Sequence, residues 1–388
     1  MKRSQQRKIK KMEQQLNIRL LFIVAVLIVI FLGLTVFFGR EEFSRKEGRS
    51  LYVLPFASFD TVLDGTYQKD IEAYVSDSVV FRDMWLDIRE FSRSILGNKD
   101  SNGIFKSSDG YLIEEFNEPD ADRAKNIAEA VSDWGAAKTN VNIYMTAVPT
   151  SGYVFEDKLP YGADAGDQEP FLKDLKEAFA DSKIKYIDIS RILLNHRDEE
   201  IYFKSDSNWT SLGAYYTYRA LGQEMELDLS ADVFEAMKVS ESFTGDLAAK
   251  SGLSCGKDDI NVYFPLDSSF KQVVEYDGVR SSVSPYDSKA LSGNYKRDVF
   301  WGGDHSFIRI NTSSVSKKTI LVIKDSYGDS FVPFLMANYR EILVVDPELY
   351  YGDLNELMSS QPIDDVLILM NTRSLTENDA LINLLKGE

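Results

Sequence analysis

The residues best suited to chemistry lie in two short stretches far apart in the chain. Asp206, Ser207, Asn208 and Trp209 fall in Lys204 to Tyr216, KSDSNWTSLGAYY. An Asp-x-His at such a place supplies the acid and the base of a serine hydrolase, with the acid orienting the imidazole that takes the serine proton. Here the base position holds Asn208, whose amide has no titratable nitrogen. The second stretch holds Ser326, directly after the apolar run Thr319 to Lys324 and before a helical pattern. A serine at a strand–turn–helix junction is presented beside backbone N–H groups able to stabilise an oxyanion, although the Gly-x-Ser-x-Gly of a nucleophile elbow is absent. Plainer roles fit the same residues. Asp325 or Ser326 can cap the following helix, and several residues of SDSN can cap the helix starting near Ser211. Trp209 reads either as packing or as an aromatic at a sugar site.

Only two histidines occur, His196 and His305. His196 lies in the charged turn NHRDEE, so His305 is the one candidate for a substitute base; its alternative is a histidine bonded within a β turn. The single cysteine, Cys255, cannot form an intramolecular disulfide, so the fold must rest on its core. A zinc site of the His/Cys type has no ligand set here, and no cofactor is expected.

The elements that must position these residues alternate between strands and helices. Helical spacing runs from Thr61 to Leu96, with a stop at Gly97-Asn98. Asn102 to Phe116 reads as a hairpin around Asp109-Gly110. A helix whose apolar face is Ala124, Ile127, Ala128, Val131 and Trp134 follows, capped by Asp120 or Asp122. Next come a strand at 141–148, a helix at 170–179, a strand at 184–190 and the helix from Ser211. Residues 228–316 read as an insertion of irregular β structure. Three further strands, TILVIK, EILVV and DVLILM, alternate with helices to the end. The expected fold class is α/β: a mostly parallel sheet with helices on both faces. Ligand chemistry in such sheets gathers at the carboxyl ends of the strands, where Pro149-Thr150-Ser151, Asp206 and Asp325-Ser326 fall.

The amino-terminal segment sets the expected compartment. The tail through Arg19 carries seven bases and one acid, and Leu20 to Phe38 runs without a charge. Such a run is long enough to cross a bilayer core of about 30 Å as a helix, and the basic side stays in the cytoplasm. The expected organisation is a cytoplasmic tail (1–19), an uncleaved anchor (20–39), a juxtamembrane and helical region (40–97) and an extracytoplasmic domain (98–388). A cleaved signal peptide is the rival, but its apolar region is shorter and ends at a small-x-small site. The chain carries −17 overall, so everything after the tail is strongly acidic. That repels phosphate backbones and excludes nucleic acid as a partner. The basic tail instead suits anionic membrane lipid.

The motifs together resemble the bacterial DHHW family of SGNH-hydrolase-like proteins, which are related to the alginate O-acetyltransferase accessory proteins. The resemblance rests on FRDMW (from Phe81), GYLIEEF (from Gly110), VPTSGYVFEDKLP (from Val148), IYFKSDSNWTSLGAYYTYRAL (from Ile201), WGGDHSFIRI (from Trp301) and KDSYGDSFVPFL (from Lys324). It implies an SGNH-like (flavodoxin-like) domain, with Asp206 as triad acid and Ser326 as nucleophile. The family's two histidines fall on Ser207 and Asn208, the second being the base. Its Gly-Gly-Asn-His is here Gly302-Gly303-Asp304-His305. Tyr327, Ser151 and Trp209 are the expected ligand contacts. The implied function is O-acetylation or deacetylation of a cell-envelope polysaccharide, with a membrane-bound O-acyltransferase as partner. The alternative is a non-catalytic glycan-binding or scaffold protein. Loss of the base costs a serine triad about three to six orders of magnitude in rate, so turnover is in question.

Overall fold

The computed structural model describes residues 100–387 except 230–233, 268 and 294, and part of the chain before residue 100. The chain divides into two units, one formed by 1–44 and 50–96, the other by 45–49 and 97–388. In the first, α1 (Thr66–Asp77) falls within the stretch read as helical. Its Asp77 is buried and pairs with Arg82 at 3.1 Å. Most of the apolar run read as an anchor, and the stop at Gly97-Asn98, lie outside the described residues. Among the described residues no helix is long and apolar enough to cross a membrane.

The second unit opens with a small antiparallel sheet of β1 (Asp100–Ser101), β2 (Ile104–Lys106) and β3 (Leu112–Glu114). The turn between β2 and β3 uses Gly110 at φ 85°, a left-handed conformation open to glycine without a Cβ penalty. Then follow α2 (Arg123–Ala136), β4 (Asn142–Val148), α3 (Ser151–Val154), α4 (Glu169–Ala178), β5 (Lys185–Tyr186), α5 (Ser190–Asn195) and α6 (Ser211–Glu224). Of the strand expected at 184–190, only β5 pairs, because Ser190 already begins α5. Next come β6 (Phe234–Phe243), α7 (Asp246–Ser251), β7 (Asp258–Pro265), β8 (Gln272–Tyr276), β9 (Arg280–Ser282) and β10 (Phe307–Thr312). The chain ends with β11 (Thr319–Lys324), α8 (Gly328–Leu335), β12 (Glu341–Val345), α9 (Leu354–Ser360), β13 (Asp365–Asn371), α10 (Thr372–Glu377) and α11 (Ala380–Lys386).

Eight strands form the main sheet in the order β9-β8-β10-β12-β11-β13-β4-β5. From β12 to β5 every pairing is parallel; from β12 outward to β9 every pairing is antiparallel. The stretch 228–316 is therefore only partly an insertion. Its β6 and β7 pair with each other as a separate ribbon, but β8, β9 and β10 extend the main sheet.

The sheet is buried on both faces, as its parallel half requires. Side chains alternate across a strand: in β11, Ile320 and Val322 enter one core while Leu321 and Ile323 enter the other. The first core takes α6 and α8, through Tyr218 and Phe331. The second takes α2, α4 and α11, through Val131, Leu175 and Leu385.

This topology brings the carboxyl ends of β11, β13 and β4 side by side. Asp325, one residue past β11, accepts from the Asn371 backbone N–H and Nδ2, both at 2.7 Å, at the end of β13. It also accepts from Tyr327 N–H at 2.9 Å. Gln168, almost fully buried, accepts from Thr150 N–H after β4 (3.1 Å) and from the Thr372 hydroxyl after β13 (2.7 Å). Three strand ends are thus fixed to one another by two buried polar side chains. Asp325→Ala should leave those buried donors without an acceptor and cost about 2–4 kcal/mol. Urea unfolding at pH 7 measures it; a loss under about 0.5 kcal/mol would mean that water replaces the carboxylate.

Candidate functional site

Asn208 reaches the sheet edge on a narrow loop. Tyr202 and Trp209 form an antiparallel bridge, closed further by Phe203 N–H to Asn208 O (3.2 Å) and Thr210 N–H to Ile201 O (2.9 Å). The Tyr202 hydroxyl donates to Pro149 O after β4 at 2.6 Å. Trp209 Nε1 donates to Tyr327 O after β11 at 2.8 Å. In return the Tyr327 hydroxyl donates to Ser207 O. The loop and the turn carrying Ser326 therefore hold each other at two points. Where α6 begins, Thr210 accepts from Leu212 N–H as its cap.

The result is that Asn208 Nδ2 donates to Ser326 Oγ at 3.2 Å. Asn208 is buried and Ser326 half-buried. Neither end of an amide is basic near neutral pH, so neither can draw the proton from the hydroxyl. Asp206 is buried beneath this contact and does not touch Ser326. It accepts from the backbone N–H of Asn208 (3.0 Å) and of Asp246 (3.2 Å), and Arg297 Nη1 lies 3.6 Å from it. A Cβ on Gly245 would lie 2.2 Å from Asp206 Cβ, so this close approach requires glycine.

A cleft of about 350 Å³ opens over Ser326. Ser326, Tyr327, Ser151, Thr150, Asn371 and Ser374 are among the residues that line it. Glu114, Lys250, Arg373 and Glu377 form one wall, where Glu114 pairs with both Lys250 and Arg373. Arg373 also meets Glu377 at 2.9 Å. Asp246 also lines the cleft and accepts from Ser207 N–H and Oγ, both at 2.7 Å.

Two expected contacts are corrected by this geometry. Trp209 is only 1% exposed and its indole N–H is spent on Tyr327 O, so it positions the serine turn and does not face a ligand. His305, read as the possible substitute base, has other partners. Its Nδ1 meets Asp277 at 2.7 Å, its Nε2 meets Trp301 O at 3.3 Å, and no described contact joins it to Ser326 or the cleft. It instead anchors the segment around Gly302 and Gly303, both at positive φ. Tyr327 and Ser151 do line the cleft, Tyr327 with its ring buried against Trp209.

Several residues of the site carried no signal in the sequence. Asp246 and Arg297 belong to the stretch read as irregular. Asp258 holds the loop from below by accepting from Lys204 N–H (2.7 Å) and Ser205 N–H (2.8 Å). The charges are coupled. The crowding of Asp246 by protein and then by the Asp206 carboxylate pushes its carboxyl up to about 6, against the pull of Arg297. Burial works against the charge of Arg297, but Asp206, Asp246, Asp329 and Asp304 more than offset it and raise its pKa. Burial also pushes Asp325 up to about 6, partly opposed by its hydrogen bonds from Asn371 and Tyr327. Among the described residues no cluster of side chains could hold a metal ion.

A family model described as DHHW protein matches residues 176–345, in keeping with the resemblance in the sequence. Among solved structures, the chain is similar to a DHHW family protein from Eubacterium siraeum. Identity is 24%, coverage 74% of this chain and 96% of that one, and the TM-score 0.61. It is also similar to PatB1 from Bacillus cereus, at 17% identity, 71% and 98% coverage and TM-score 0.57. PatB1 with a sulfonyl adduct gives 16% identity, 72% and 98% coverage and TM-score 0.58. No curated protein matches the chain. At these identities the likeness is one of fold.

The raised carboxyl groups give a pH dependence with a definite sign. A folded-state pKa near 6, above the unfolded value of about 3.9, means that the folded protein holds the proton more tightly. The stability contributed is complete below about pH 4 and is lost as pH rises through 6. Asp246→Asn should flatten part of the fall in unfolding stability between about pH 4 and 6, leaving the share that Asp325 contributes. An identical slope in wild type and variant would show that Asp246 titrates normally.

Proposed function

We propose that the protein binds a hydroxyl-rich cell-envelope polysaccharide in the Ser326 cleft, as part of an O-acylation system, with little or no turnover of its own. The single observation that carries this is the 3.2 Å hydrogen bond from Asn208 Nδ2 to Ser326 Oγ. It puts a neutral donor where a serine hydrolase needs a base. An amide so placed orders the serine hydroxyl as a ligand group. The cleft is polar and mixed in character, with hydroxyls, amides and carboxylates converging as a glycan requires.

In this reading the apolar run near the amino terminus anchors the chain in the bacterial cytoplasmic membrane. The main domain then works outside, beside a membrane-bound O-acyltransferase. Asp206 positions the loop, and Ser326, Tyr327 and Ser151 contact the glycan. Were an acyl group to pass through Ser326, its carbonyl carbon would bond to Oγ as the donor's ester bond broke, and the serine proton would need an acceptor. The amide supplies none.

Two measurements test this. A fluorophosphonate probe should label Ser326 slowly or not at all in the wild type. Asn208→His should raise aryl-acetate hydrolysis by about 10³-fold or more, through Ser326. Rapid labelling of the wild type, with hydrolysis equal to that of the variant, would defeat the non-catalytic reading. In cells, Ser326→Ala should weaken envelope acylation far less than deletion of the gene, since it removes one of several glycan contacts; equal defects would point to catalysis.

A further inference from the structure

The cleft over Ser326 does not end at its own wall. Glu348 follows β12, and its carboxylate accepts from Asn378 Nδ2 at 2.6 Å across the gap to the segment between α10 and α11. These two residues line the Ser326 cleft, and they also line a second concavity of about 1010 Å³ on their far side. The bonded pair therefore borders both hollows.

The second concavity has its own chemistry. Tyr350 and Tyr351 stand in tandem in its wall, with Asn355 and Asn383 also lining it. Gly352 carries no side chain where a Cβ would lie 2.6 Å from the Tyr350 ring, so the chain passes directly against that ring. Tyr351 is 96% exposed, with its ring free to be covered. A tyrosine offers an apolar face and a hydroxyl tip together, which suits a flat ligand carrying many hydroxyls. Charge narrows the class further. The Ser326 cleft is lined by five carboxylates and two cations, and both cations are held by Glu114. The second concavity adds Asp353 and Asp379 against Lys386. A groove of that sign repels a polyanion along its whole length.

We infer that the concavity beyond Glu348–Asn378 is a second glycan subsite, in which Tyr351 stacks on sugars several units along a neutral linear chain whose other end lies over Ser326. The inference rests on the glycan reading above and adds to it both the length and the neutral character of the ligand.

Calorimetry with neutral oligosaccharides of one to six sugars from the cello, chito and amylose series tests it, with oligoguluronate as the anionic comparison. Affinity for at least one neutral series should rise about 10-fold or more between two and six sugars, and oligoguluronate should bind more weakly. Tyr351→Ala, at an exposed position that does not threaten folding, should remove that gain and leave short oligomers unaffected. Tyr351→Phe should keep it. Short oligomers that bind with no gain in length, a Tyr351→Ala protein that keeps the full gain, or tighter binding of oligoguluronate would overturn the second subsite alone. Absence of binding by every neutral oligomer would overturn the glycan reading and this inference together.

Discussion

The site depends on a reciprocal clamp between two backbone segments. Trp209 gives its indole N–H to the carbonyl of Tyr327, and Tyr327 gives its hydroxyl to the carbonyl of Ser207. Each aromatic ring is buried, so neither donor has water as an alternative, and a buried donor left unpaired is expensive. The two rings also pack, with centroids 5.4 Å apart. Opening the clamp would expose both rings and break both bonds at once. That coupling keeps Asn208 within hydrogen-bond reach of Ser326 although the two residues come from distant parts of the chain.

Charge supports the clamp from below. Asp206 is buried next to Asp246, an arrangement that would be unfavourable without a cation nearby. Arg297 supplies it, at 3.6 Å from Asp206. The carboxylate that would orient an imidazole in a working triad here orders backbone amides, accepting from Asn208 and Asp246. Asp206 is therefore fully engaged by backbone donors and Arg297. Its task in the fold is structural: it holds the Asn208 loop against the start of α7.

A serine bound to an amide and a groove of mixed polar groups share one consequence. Binding needs complementary hydrogen bonds in the ground state, whereas turnover needs a group that changes its proton count on the way to the transition state. The cleft has the first in abundance. Asp246, a lining carboxyl raised to about 6, is bonded to Ser207.

The amino-acid sequence determined those features that depend on neighbours along the chain. Uninterrupted apolar runs marked β11, β12 and β13, because strands buried on both faces need apolar residues at every position. The spacing of Val131 and Trp134 marked α2, and Asn208 itself was legible as an amide where a base is needed. The tertiary structure alone decided the rest. β8 and β10 find their partners across the sheet, and their half-exposed patterns do not distinguish them from loop. Trp209 could as well have faced a sugar; only the position of Tyr327 O turned it inward. His305 could have reached Ser326; Asp277 holds it elsewhere. Asp246 and Arg297 gain meaning only where folding crowds them beside Asp206. Local pattern records what each segment must bury, but a site is made by which buried groups find one another, and that is fixed by long-range packing.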